Sequence, residues 1–162
     1  MKKKKVGENP AFELPPVKSS GMRELHSLDG ALLLMHFGFR GLVAEADLFL
    51  QHHGLSRVHH RVLYAIARSE SLSVGALLEL LGVSKQALHK PLKQLQDEGY
   101  VVAQRDPAQH RSKILRLTAK GARIENAASK RERKAIGEAL KVVKPSHRRA
   151  WFEIMAVLAR RA

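Results

Sequence analysis

Residues 73–117 read SVGALLELLGVSKQALHKPLKQLQDEGYVVAQRDPAQHRSKILRL, and the fold is decided there. Ser73 is a natural N-cap for a short helix over 74–81, which Gly82 closes. Ser84 caps a second helix from 85 to about 98, closed by Gly99. Only Gly82 and Val83 join the two, too short for a bundle arm and suited to a helix-turn-helix corner. Beyond Gly99 the period switches from helix to strand. Residues 100–105 and 112–117 are strand-like, with turn material, DPAQHR, at 106–111. This predicts one β-hairpin in an otherwise helical chain.

The second helix has two faces. Leu88, Leu92 and Leu95 fall at i, i+4 and i+7 and form a buried stripe. Lys85, Gln86, His89, Lys90 and Lys93 share the other face, which no acid interrupts before Asp97. Gln and Lys can read adenine and guanine edges, and Lys also contacts phosphate. The Ser84 cap turns the positive end of the helix dipole toward an anion. Without the hairpin the bland reading is a solvated lysine face. The hairpin, however, carries His110, Arg111, Lys113 and Arg116. A helix-turn-helix followed by a basic ribbon is a winged helix, with one helix for the major groove and a wing for the minor.

Working outward, the 162 residues suit one domain with a real core. Lys plus Arg number 29 against 15 Asp plus Glu, a formal net charge of +14. By segment the net charge is +3 over 1–20, −1 over 21–83, +6 over 84–123 and +6 over 124–162. A surplus confined to a tail and to the chain beyond Ser84 points to a polyanion, nucleic acid first. Cysteine is absent, which removes disulfides, thiolate zinc sites and thiol redox sensing. No apolar run is long enough to span a membrane, and the lysines at 2–5 are not followed by a signal-peptide core. A soluble cytoplasmic protein is expected.

The flanks are helical. A long helix from Ser27 or Asp29 to about His53 is apolar on more than one face and wants partners on two sides, one of them a second subunit. Ser56 caps a helix with a buried stripe of Val58, Val62, Leu63, Ile66 and Ala67. Thr118 caps another to about Val143, ended by Lys144-Pro145. Ser146 starts a last helix with Trp151, Phe152, Ile154, Met155 and Leu158 on one face.

From Leu55 to Gly121 the chain resembles the MarR family of bacterial regulators. The resemblance rests on LSRVHHRVLYAIARSESLSVGALLELLG, VSKQALHKPLKQLQDEGYVV and RDPAQHRSKILRLTAKG. The wing ending in Leu117-Thr118-Ala119-Lys120-Gly121 is its most specific part. It implies a homodimer with two winged-helix lobes on a pseudo-palindromic operator, acting as a repressor and released by a small-molecule effector. The sequence departs from the family pattern at three places. Gln109 stands where the wing's Asp is usual, although Arg111 is kept and Asp106 is near. Ala103 replaces a common basic residue. Pro91 interrupts the recognition helix, where it removes a donor to Ala87 and favours a kink.

The expected fold is mainly α with a small β-hairpin wing, a winged helix-turn-helix core flanked by long dimerisation helices. The organisation is a basic arm over 1–20 and one domain over 21–162. Within that domain 55–117 is the DNA-binding lobe, and 21–54 with 118–162 the dimerisation region. Double-stranded DNA is the expected partner, with Ser84, Lys85, Gln86, His89, Lys90, Lys93, His110, Arg111 and Lys113 as contacts. An effector pocket is expected around His36, Phe39, Arg40 and His60. No cofactor and no metal ligands are assigned, and no enzyme motif appears. Two rivals share the charge: a zinc-responsive regulator using His52, His53, His59 and His60 with Glu45 or Asp47, and a basic architectural protein without an effector.

Overall fold

The computed structural model describes residues 28–105 and 113–160. In chain order they form α1 (Asp29–Gln51), α2 (Arg57–Ala67), β1 (Leu72–Ser73), α3 (Val74–Leu81), α4 (Lys85–Asp97), β2 (Val101–Arg105), β3 (Lys113–Leu117), α5 (Ala119–Lys141) and α6 (Pro145–Ala159). The arm expected at 1–20 lies outside the described residues. The chain divides into two compact units, 1–41 and 42–162. In the first, helical residues 29–41 leave Leu32, Met35 and Phe39 exposed. The second unit holds the core.

Local chemistry sets the element ends. The Ser73 hydroxyl accepts from the Ala76 N–H, Ser84 from Ala87 and Thr118 from Gly121, each satisfying a helix-start donor. Gly54, Gly82 and Gly99 stand at φ +69, +62 and +71°, the left-handed turn that closes α1, α3 and α4. Gly121 is required for a different reason. A Cβ there would sit 2.1 Å from the Tyr100 carbonyl oxygen, so α5 approaches the start of β2 as closely as backbones can.

Leu50, Leu63, Leu77 and Leu95 are fully buried, with Val62, Leu88, Leu92, Tyr100, Val101 and Leu115 around them. Ala46 from α1 and Ile124 and Ala128 from α5 belong to the same cluster. The core therefore extends past 55–117 on both sides.

Three expectations need correction. The sheet has three antiparallel strands in the order β1-β3-β2, with Leu72 opposite Leu115 and Ser73 opposite Ile114. Two residues cannot show a strand period, so only the partner strand reveals β1. Pro145 starts α6 rather than ending α5; its fixed φ suits the first helical position. On α2, Val58 and Ala67 are exposed while His59 and His60 are buried. That helix packs on α5 as well as on α3 and α4, so its buried arc is wider than one apolar stripe.

Polar groups line part of the α2–α5 seam. Arg57 donates to Glu132 and, at 3.1 Å, to Nδ1 of His60. His60 Nε2 meets Ser129 Oγ at 3.3 Å, Ser129 donates to Glu125 at 2.6 Å, and Arg68 donates to the same carboxylate at 2.7 Å. Burial pushes Glu132 up, but its contacts with His60 and Arg57 outweigh that and hold it below the ordinary carboxylate value.

Candidate nucleic-acid interface

α3 and α4 are joined by Gly82, Val83 and the Ser84 cap, a corner in which the Val83 N–H returns to the Leu78 carbonyl. The corner fixes how α4 leaves the lobe. Leu88, Leu92 and Leu95 anchor α4, at 2, 7 and 0% exposure, and the opposite face is thereby turned out. Lys85, Gln86, His89, Lys90 and Lys93 are all exposed on it, as is Ser84 at its start. Lys93 pairs with Asp97 at 2.6 Å, but both side chains stay more than half exposed, so water screens the pair. α4 is one uninterrupted helix through Pro91. The Ala87 carbonyl that loses its donor belongs to an exposed residue, where water can replace the bond.

β2 and β3 pair from Val101–Leu117 to Arg105–Lys113. Lys113 is exposed at the outer end of β3. His110 and Arg111, with Asp106 and Gln109, lie outside the described residues. The sequence reading missed Arg105, which the register sets directly opposite Lys113. Like charges so placed repel, and an anion between them removes the cost. Its signal was available, since a hairpin centred on 106–112 pairs those two positions.

A sequence profile of the MarR family matches residues 53–112. The HTH-type transcriptional regulator PetP of Rhodobacter capsulatus is 36% identical over 111 residues, covering 68% of this chain and 67% of PetP. The chain belongs to the MarR family. Its fold matches the crystal structure of a MarR family transcription regulator with a TM-score of 0.70, at 18% identity, covering 82% of this chain and 88% of that one. CouR from Rhodococcus jostii, solved bound to p-coumaroyl-CoA, matches with a TM-score of 0.66 at 20% identity, over 81% of this chain and 92% of CouR. MarR proteins are DNA-binding transcriptional regulators, and this chain is one of them.

The residues expected to receive an effector are not alike. His36, Phe39 and Arg40 are exposed on the first unit's part of α1. His60, in the second unit, is 2% exposed and has both ring nitrogens engaged by Arg57 and Ser129, so it is a seam residue. Among the described residues no group of three His, Asp or Glu side chains is placed to hold a metal ion. His52 and His53 are exposed, whereas His59 is committed to α2. Its Nδ1 accepts from the Ser56 backbone N–H at 3.0 Å, a capping box with His in the usual Glu or Gln place. Burial lowers the His59 pKa from its ordinary 6.5, with Gln94 and Glu98 opposing the shift. The neutral ring is also the form that can accept the capping bond. Among the described residues no helix is long and apolar enough to cross a membrane.

Proposed function

We propose that this MarR protein is a homodimeric, sequence-specific repressor that binds a pseudo-palindromic operator and is released by a small-molecule effector. The observation that carries the DNA reading is the outward face of α4. Its exposed Ser84, Lys85, Gln86, His89, Lys90 and Lys93 lie on a helix anchored by three buried leucines. Lys113, His110 and Arg111 extend the contact along the wing. Gln86 and Lys90 supply base discrimination, and the remaining cations supply phosphate attraction.

The dimer reading rests on α6. None of its residues is buried, and Trp151, Phe152, Ile154, Met155, Val157 and Leu158 are all at least 36% exposed. A soluble monomer seldom exposes so much apolar surface in one patch. A second copy covers it with a self-complementary two-fold contact, which also fixes the spacing of the two α4 helices. The effector reading draws on CouR's bound p-coumaroyl-CoA and on the exposed His36, Phe39 and Arg40. A ligand favouring one spacing of the lobes shifts the population away from the DNA-competent form.

Sedimentation at micromolar concentration tests the assembly, with twice the chain mass expected and a folded monomer contradicting it. Titration with duplex DNA at 50 and 200 mM salt tests the interface. Affinity is expected to fall by roughly tenfold or more, and a flat response would remove it. The zinc rival predicts that a chelator changes DNA affinity; the effector reading predicts no change.

A further inference from the structure

The surplus charge on α5 and beyond is not used by α4 or the wing, and on α5 it is ordered. Arg123, Lys130, Lys134 and Lys141 are spaced 7, 4 and 7 residues apart, which sets them in one line on a 3.6-residue helix about 27 Å long. All four are exposed, and among the described residues none has an acidic partner within ion-pair distance. The opposite side of α5 is the packed one, with Gly121, Ile124, Glu125, Ala128 and Ser129 buried. Glu125 and Glu132 point inward to Arg68 and Arg57. One acid interrupts the row on its own side of the helix: Glu138, exposed, stands four residues after Lys134 and three before Lys141, and leaves the row a net charge of +3.

Ala127 and Gly137 border the stripe, and no aromatic or large apolar side chain lies on it. Protein interfaces are built around apolar or aromatic anchors and are poor in Lys. A phosphate backbone needs only a row of cations. α2 separates this stripe from α4. Arg57, His60 and Arg68 face α5, while His59 on the other side lines a cleft with Pro91 and Gln94 of α4 and with Glu98 just beyond it.

We propose that the outer face of α5 is a second duplex-binding surface, independent of base sequence, which holds another DNA segment while α4 and the wing hold the operator. It relies on the operator reading for the first duplex only. The test uses the full chain and the variant Lys130→Gln/Lys134→Gln/Lys141→Gln, whose changes are all at exposed positions. Each is saturated with operator duplex, and capture of a labelled, unrelated 20-bp duplex is then measured against salt. Wild type is expected to capture the second duplex. The variant should capture it at least about tenfold more weakly, with a log–log salt slope smaller by about 3, and bind the operator within about twofold of wild type. Equal capture by both proteins overturns the proposal. So does a parallel loss of operator affinity, which would put the stripe on the same duplex, or equal binding of poly-glutamate, which would make it an acidic-protein site. Because the readout duplex is unrelated in sequence, a failure of the operator reading alone appears separately, as absent sequence preference with capture retained.

Discussion

α4 and α6 are helices of 13 and 15 residues, each with an apolar row, and they end in opposite conditions. In α4 the row is buried: Leu88, Leu92 and Leu95 pack into the core. In α6 Trp151 is 38% exposed and Phe152 56%. An apolar period says that a face needs cover; it does not say from where. α4 finds its cover within its own lobe, which frees its polar face to meet DNA. In α6 the apolar face stays exposed, and the proposed dimer would cover it.

Leu95→Ala is expected to cost about 2–5 kcal/mol of stability, the usual range for emptying a closed core, as measured by urea melts. Phe152→Ser/Met155→Ser should act on assembly instead. Melting of the wild type should rise with protein concentration, and that of the double variant should not. If the double variant lowers stability equally at every concentration, α6 is part of the core and the contrast fails.

A smaller contrast lies within α5. Gly121→Ala forces a Cβ to within 2.1 Å of the Tyr100 carbonyl, and a loss of about 1–3 kcal/mol is expected as helix and strand move apart. Gly137→Ala meets nothing within 4 Å and should gain about 0.5–1 kcal/mol. Thermal melts of the two variants should move in opposite directions. Movement in the same direction would show that α5 does not press on β2.

The mildest effect expected is on pH dependence. The native pKa of His59 is lowered below 6.5, so the unfolded chain binds more protons between that lowered value and 6.5. Stability contributed by the neutral ring is therefore complete above about 6.5 and declines as pH falls through that window. His59→Gln keeps an acceptor for Ser56 and should flatten this decline. An unchanged decline would assign it to another group. Glu132, also lowered, acts only at more acid pH, where its contribution is lost as it protonates.

Much of the lobe was legible because its signals are local. Ser73, Ser84 and Thr118 cap helices within three residues of themselves, and Gly82 and Gly99 close the first two of those helices. What escaped depends on distant partners. β1 exists only through Leu115 and Ile114. His60 is buried because Ser129, 69 positions later, meets its ring. The same limit holds for α6, whose apolar period does not tell what would cover it.

The most direct measurement is selection of duplex DNA from random sequence with the full chain, repeated with Gln86→Ala and Lys90→Ala. Two inverted half-sites with centres about 10–10.5 bp apart are expected. Each substitution should relax the preference within both half-sites, at a cost of about 1–3 kcal/mol on the best site. Recovery of a lone half-site, of no preferred sequence, or of the same preference from both variants would contradict a dimer that reads DNA through α4.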